Sequence, residues 1–305
     1  MLAVVGILVV FGAVFGGYLI EKGNPWVLLQ PAELLIVGGA GVGIVLVANP
    51  PALIRKMISG AFAAFRETPC SRTSYLRTLR MLYEVFSFAQ RGGAMALEPD
   101  VEDPQHSRIF SQYPELLKQP DTLRFLCDSL RMLVIGITTP QEIDHLMDLD
   151  IEVQGRSQHE PVNALSSVAD ALPGLGIVAA VLGVVITMEA IGGSPETVGQ
   201  KVAAALVGTF LGILLCYGLV GPIAARLEIV GAARTHRLEM LRNAVVAFAR
   251  GSSPILSVEY GRRSIPLEWR PPFEEMEITI RRDAKIPPVN PPPGSETHAT
   301  QPTTA

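Results

Sequence analysis

The stretch Leu172–Met188, LPGLGIVAAVLGVVITM, together with Lys201–Pro222, KVAAALVGTFLGILLCYGLVGP, decides the fold. Each run is close to the ~20 mainly apolar residues that a helix needs to cross a bilayer. Both are rich in Gly and Ala, which let helix backbones approach closely and favour packing against other helices. Pro173 enters the first run, Pro222 leaves the second, and no charged residue falls between Val202 and Pro222. Thr209 lies in that uncharged segment. A small hydroxyl among Gly and Ala suits a position facing another helix or a narrow polar path, and it also suits a back-bond to its own helix carbonyl.

Outward from these runs, composition agrees with a membrane protein carrying an aqueous part. Hydrophobic residues make up 49% of the chain, yet the charged residues gather in two blocks, Arg55–Asp170 and Arg226–Lys285. The net charge of -4, with no basic run interleaved with aromatics, points away from nucleic acid. Cys70, Cys127 and Cys216 lie far apart without metal-ligand spacing and read as reduced, structural residues. Met1–Ile20 is apolar from its first residue, with no basic leader and no small-residue cleavage site, so it reads as a retained span. The connector Glu21–Gln30 is too short for a domain and leads to a second apolar run, Ala32–Ala48, closed by Asn49-Pro50-Pro51. Glu33 stands near the start of that run. A carboxylate there either reaches interfacial water or lines an internal polar path, and spacing alone favours the interface.

Flanking charge sets the orientation. Arg55, Lys56 and Arg66 follow the second run and Arg226, Arg234 and Arg237 follow the fourth, whereas Glu21–Gln30 and Ser194–Lys201 carry one lysine each. The positive-inside rule places both polar blocks and both termini in the cytoplasm. The expectation is an all-α polytopic membrane protein with four transmembrane helices and a helical cytoplasmic domain. Its segments are a hairpin of spans at 1–49, a cytoplasmic insert at 50–170, a second hairpin at 171–224, a cytoplasmic helix and C-terminal segment at 225–285, and a Pro-rich disordered tail at 286–305.

The insert reads as helical throughout. In Ser71–Arg91, Leu76, Leu79, Leu82, Phe86 and Ala89 recur at helical spacing, with Gly92-Gly93 as the stop. Asp121–Ile137 repeats the pattern with Leu123, Leu126, Leu130, Leu133 and Ile137. Thr139-Pro140-Gln141-Glu142 has the form of a capping box with proline at the first helical position. Ala225–Arg250 continues out of the fourth run and stops at Gly251. Charge in the insert is segregated: Arg55–Arg91 holds seven basic residues against Glu67 and Glu84, and then Glu98, Asp100, Glu102 and Asp103 follow without a basic residue among them. Adjacent patches of opposite sign suit a partner with the reverse pattern, and on charge alone a solvated helix face is the preferred reading.

No enzymatic constellation is present. The chain lacks a glycine-rich phosphate loop with Lys-Ser or Lys-Thr, His-Glu-x-x-His and Gly-x-Ser-x-Gly. The five histidines are scattered in polar segments, and His145 reads as a surface helix residue.

Several motifs in order resemble the MotA family of flagellar motor stator subunits. They are Gln30-Pro31-Ala32-Glu33-Leu34, the acidic run Leu97–Pro104, Met147–Glu152, Leu172-Pro173 with Gly176–Val181, Val207–Ile213, and Val258–Arg263; the match runs from the first span to about Glu277. The resemblance implies a ring of four-span subunits, a pentamer, around a dimer of a MotB-like single-span subunit that supplies the proton-accepting aspartate. Ion flow through that interface turns the ring, and the insert pushes on FliG of the rotor. It implies an inner-membrane protein in contact with lipid, with protons as coupling ion and no other cofactor. Carried to this chain, it places Thr209, Ala180, Pro173, Pro222 and Glu33 along the ion path or partner interface. Glu98 becomes a rotor contact. The family's basic contact stands eight positions before that glutamate, at Gln90 here, with Arg91 beside it. Sodium-driven relatives carry a threonine at the position of Ala180, and alanine offers no oxygen to a partly dehydrated sodium ion, so proton coupling is expected. An energiser of the ExbB/TolQ type is the nearest alternative, but it has three spans, and the hairpin Met1–Ala48 and the Glu98 region favour MotA. A membrane scaffold without ion flow is the alternative from another class, and it would tolerate changes at Thr209 and Pro173.

Overall fold

The computed structural model describes residues 2–66, 71–189, 192 and 194–283. Cys70 and the tail 286–305 lie outside the described residues. Among the described residues all regular structure is helical. Four helical stretches are long and apolar enough to cross a membrane: Ala3–Ile20, Pro25–Ala48, Pro140–Met188 and Pro195–Ala249. The chain forms two compact units, Met1–Pro69 with Val153–Ala233 and Cys70–Glu152 with Arg234–Ala305.

The apolar unit holds the spans. The second span starts with Pro31 at its first helical position, where the missing N–H costs nothing. It passes through a π-helical turn, Leu35–Gly39, and ends at Asn49, whose Nδ2 donates to Val45 O at 3.1 Å before Pro50 bars further helix.

The prolines that flank the third and fourth apolar runs lie within continuous helical stretches. Pro173 sits inside a helix of 49 residues, Pro140–Met188. Its start is the expected capping box: Thr139 N–H donates to Glu142 Oε2 at 2.7 Å and Glu142 N–H to Thr139 Oγ1 at 3.3 Å. The carboxylate that accepts both Thr139 donors is held below the usual glutamate range by them. The fourth span begins at Pro195, capped by Ser194 Oγ accepting from Thr197 N–H at 3.3 Å. It absorbs Pro222 through a second π-helical turn, Cys216–Val220, and continues as Gly221–Ala249. Proline lacks an N–H and its ring collides with the carbonyl four residues back. The wider turn relieves that crowding, with Gly221 N–H reaching back to Cys216 O.

Third and fourth spans touch backbone to backbone. A Cβ on Gly212 would lie 2.5 Å from Leu172 O and 3.0 Å from Gly176 Cα, and one on Gly176 would lie 2.7 Å from Gly208 O. Val37, Ala169, Leu172, Ala179 and Cys216 form the buried cluster around this crossing, with Leu175, Leu211 and Leu215 packed on it. The first span meets the fourth at Gly218, where a Cβ would lie 3.2 Å from Val10 Cγ1.

The polar unit has an aromatic and aliphatic core. Helix Arg72–Gly92 is capped by Ser71 Oγ, which accepts from Ser74 N–H at 3.2 Å, and it stops at Gly93, where φ is 81° and a side chain would be strained. Its expected apolar face is buried, and Phe86 stacks on Phe248 with ring centroids 4.6 Å apart. Pro254–Ser264 crosses the preceding helix closely: a Cβ on Gly261 would lie 3.0 Å from Met240 O. Helix Pro120–Ile135 buries Leu123, Leu126 and Leu130 as the spacing predicts. It ends two residues early, because Gly136 turns left-handed, and Ile137 is therefore exposed and outside the core. Cys127, on the buried face of this helix, has its thiol pushed up to about 12 by desolvation, so it stays protonated.

Candidate functional site

In the apolar unit the glycine contacts draw together residues that lie far apart in sequence. A Cβ on Gly176 would lie 3.2 Å from Thr209 Cα, and one on Gly208 would lie 3.3 Å from Ala180 N. Thr209 and Ala180 therefore occupy one layer of the third and fourth spans, and both are half-buried. A back-bond of the kind considered for Thr209 is made by Thr187, whose Oγ1 donates to Gly183 O at 2.7 Å. Pro173 is half-buried and Pro222 exposed. Along the same helices Ile177, Val181, Val185, Leu206 and Tyr217 stand exposed, large side chains suited to lipid or other spans.

Glu33 departs from the favoured sequence reading. Instead of reaching interfacial water it is 6% exposed, turned between the third and fourth spans. A Cβ on Gly183 would lie 3.5 Å from its Oε1, and one on Gly208 would lie 2.6 Å from its Oε2. Gly183 and Gly208 are the positions that admit the carboxyl; Gly208 lies in the motif Val207–Ile213, and Gly183 was not singled out in the sequence. Both need glycine, because a Cβ on Gly183 would lie 2.6 Å from Ala205 Cβ and one on Gly208 2.8 Å from Ala179 Cβ.

In the polar unit the segregated charges are largely consumed internally. Asp100 is 2% exposed and its Oδ1 accepts from Ser107 Oγ at 2.6 Å and from Arg108 N–H at 3.0 Å. Ser107 Oγ in turn accepts from Ile109 and Phe110 N–H at 3.1 and 3.0 Å, so a buried carboxylate ties down the loop that follows the acidic run. Glu102 pairs with Arg131 at 2.9 Å. Asp103 accepts from His106 Nδ1 at 2.8 Å, a bond that holds its carboxyl below the usual range. On the basic helix Arg72 pairs with Glu275, Arg77 with Glu115, and Arg80 with buried Glu84 at 3.2 Å. Glu98 remains exposed at the first position of helix Glu98–Glu102. Arg91 remains exposed in the last turn of the basic helix, its Nε donating to Ser87 O at 3.3 Å. Gln90 is exposed beside it. Most of these paired charges stay partly exposed, and Glu98 and Arg91, on either side of the turn at Gly93, are exposed charges that no ion pair engages among the described residues. Asp100 read as one of several surface acids, and nothing in its spacing announced that it would be buried.

Two other motifs that carry the resemblance are structural ties. Arg242 bridges Asp144 and Asp148, both at 2.7 Å. Glu259 accepts a forked pair from Arg262 at 2.6 and 2.8 Å and a third bond from Arg263 at 2.7 Å.

A four-span helical protein with a tight pair of small-residue spans and a separate charged unit is the architecture of an ion-driven membrane motor or energiser. Comparison with known families matches residues 119–240 to the MotA/TolQ/ExbB proton channel family and residues 4–93 to the motility protein A N-terminal model. Motility protein A of Salmonella typhimurium is 38% identical over 281 residues, covering 92% of this chain and 95% of the relative. That of Escherichia coli is 37% identical over the same coverage. Among solved structures, C. jejuni MotAB superposes with a TM-score of 0.74 at 18% identity, covering 87% of this chain and 96% of that one. The flagellar MotAB stator complex from Bacillus subtilis gives 0.72 at 23%, covering 90% and 98%. These two establish likeness of fold. The chain belongs to the motility protein A family, the stator subunits of the flagellar motor within the proton channel family, and is a multi-pass protein of the inner membrane.

Proposed function

We propose that this chain assembles as a ring, a pentamer, around the spans of a MotB-like single-span subunit, and that proton flow between ring and partner turns the ring against FliG of the rotor. Both termini and the polar unit lie in the cytoplasm in this reading, as the positive-inside rule requires. The observation that carries it is the layer formed by Ala180 and Thr209 where the third and fourth spans meet through Gly176, Gly208 and Gly212. Thr209 supplies a hydroxyl at the partner interface, and Ala180 supplies none, which favours a proton over a sodium ion. Pro173 and Pro222 each remove a backbone donor and leave a carbonyl for water or a neighbouring helix. No cofactor enters the mechanism. Torque passes through Glu98 and a basic contact, Arg91, two exposed charges that no ion pair engages among the described residues.

The test is tethered-cell rotation in a flagellated host lacking its own stators, expressing this chain with its cognate partner. Rotation abolished by a protonophore and indifferent to sodium removal at constant proton-motive force is expected. Rotation that stops without sodium and survives the protonophore would overturn proton coupling. An assembled complex that never rotates, yet restores an envelope-transport defect, would favour the ExbB/TolQ-type reading. Pro173→Ala at normal expression should abolish rotation, and full activity would support the scaffold instead.

A further inference from the structure

We propose that Glu33 is itself a proton-binding group of the membrane ring, a second titratable carboxyl carried by every copy of this chain besides the one its partner supplies. This rests on the stator reading above and extends it to a residue of the ring.

The geometry is that of a cradle for one carboxyl. Glu33 is nine-tenths buried, and its Oε2 has no hydrogen-bond partner among the described residues. The two positions it faces lack side chains: a Cβ on Gly208 would lie 2.6 Å from Oε2 and one on Gly183 3.5 Å from Oε1. Around these contacts the third span contributes Ala179 and the backbone of Ala180, and the fourth contributes Ala205. None of these residues titrates or carries charge, and the nearby Thr187 hydroxyl is committed to Gly183 O. Among the described residues no Lys, Arg or His forms an ion pair with Glu33.

An ionised carboxylate with no donor and no counter-charge, in an apolar helix interior, is far costlier than its neutral acid. Glu33 therefore holds a proton at rest. It would release that proton when water or a charge comes within reach of Oε2, and such approach is what motion of the third and fourth spans would bring. Two features make this a working site. Gly208, against which the carboxyl lies, directly precedes Thr209, so Glu33 stands behind the proposed ion path by the thickness of one glycine backbone. The π-helical turn Leu35–Gly39 begins two residues after Glu33, and such turns loosen a helix and gather at functional positions. Glu33 then acts as a loading group, taking a proton from the path and returning it as the ring moves.

The experiment uses the complete complex in inner membranes. N,N′-dicyclohexylcarbodiimide adds a protonated carboxyl across one C=N bond, the proton passing to nitrogen, and rearranges to a stable N-acylurea that mass spectrometry locates. An adduct on Glu33 at pH 7, abolished by Glu33→Gln, is expected. No Glu33 adduct in a preparation whose partner carboxyl labels would overturn the proposal. Glu33→Gln keeps the shape but carries no proton. It should assemble to the wild-type level and hold its stall torque, while speed near zero load, where proton transfer limits rotation, falls about threefold. A load–speed curve identical to wild type would reduce Glu33 to a packing residue and also overturn the proposal. Should the wild-type complex itself not rotate, the stator reading fails, while the labelling result still decides whether Glu33 holds a proton.

Discussion

The two units of this chain hold together by opposite means. In the apolar unit helices meet where side chains are missing, at Gly176, Gly208 and Gly212, and its buried charged group, Glu33, lies with Oε2 unpaired. In the polar unit helices meet through large side chains such as Phe86 and Phe248, and acids such as buried Asp100 and partly buried Glu259 are held by several donors. The contrast follows from the solvent. Lipid gives helices no hydrophobic reason to associate, so close backbone approach must supply the dispersion energy. Water rewards burial of aromatic area directly. Asp100 also keeps Oδ2 without a hydrogen bond, but its Oδ1 accepts two, a compensation that Glu33 lacks.

The sharpest way to break this contrast is to add a side chain where the apolar unit has none. Gly176→Leu would drive Cβ to 2.7 Å from Gly208 O, a backbone atom that cannot move aside. Loss of motility and a several-fold fall in membrane-inserted protein are expected. Gly174→Leu, at a position with nothing within 4 Å of its Cβ, should leave both near wild type. Equal tolerance of the two would mean that the spans are not held by close approach. In the polar unit the matching change removes atoms. Phe86→Ala deletes the ring stacked on Phe248 and should cost ~3–5 kcal/mol, as large-to-alanine changes in cores do. Hydrogen exchange on the full chain would show faster exchange in 72–92 and 240–249, with little change in 172–188.

Much of this contrast was legible in the sequence, and the misses have physical causes. Four apolar runs with almost no charge are self-announcing, because helix is what satisfies such a backbone in lipid. Helix stops at Gly93 and Gly251 were readable because only glycine takes those positive φ values without strain. Pro173 and Pro222 were legible as flanks of the apolar runs, but the π-helical turn that carries Pro222 within a continuous helical stretch was not, because nothing local in the sequence records it. Glu33 misled for a related reason. Its place in the span was legible, but the two glycines that admit it are about 150 residues or more away in the chain. In the polar unit, helical period located the core, yet charge pattern could not separate a paired acid from a free one. Asp100, Glu102 and Asp103 read alike with Glu98, and tertiary partners alone distinguish them.

That distinction yields two predictions of intermediate size. Asp100→Ala leaves Ser107 Oγ and Arg108 N–H without their acceptor and should cost ~2–3 kcal/mol, the penalty of stranding buried donors. Faster proteolysis of the loop 103–110 would report it, and an unchanged loop would show that Asp100 does not tie it down. Glu259 offers a pH test. Its hydrogen bonds from Arg262, and secondarily from Arg263, outweigh the opposing cost of burial and lower its carboxyl below the ordinary 4.5. A folded-state value below the unfolded one means that the stabilisation is complete above pH 4.5 and is lost as pH falls through the lowered value. Glu259→Gln should therefore cost about 1–2 kcal/mol at neutral pH, the worth of one charge-assisted tie. The gap to wild type should close on acidification below 4.5, as followed by thermal unfolding at a series of pH values. A gap that stays constant with pH would show that the fork contributes through packing rather than charge.

The smallest expected effect falls on the residue with the most direct functional reading. Glu98 is exposed, so Glu98→Lys breaks no internal tie and should leave assembly, proteolysis and hydrogen exchange unchanged. A single exposed ion pair is worth only ~0–1 kcal/mol, so torque should fall modestly, and more at high load, where each contact with the rotor bears more force. Glu102 and Asp103, though exposed, are each paired within the unit and Asp100 is buried, so none of them stands free to replace the lost charge. Partial rescue by the opposite charge reversal on FliG would identify an electrostatic contact. Adding Arg91→Glu to Glu98→Lys separates a paired surface from independent charges: two independent contacts add their losses, whereas contacts that share one partner give less than the sum. Unchanged torque at low and high load in the double variant would remove this surface from the rotor contact and leave the polar unit's exposed charges as solvated residues only.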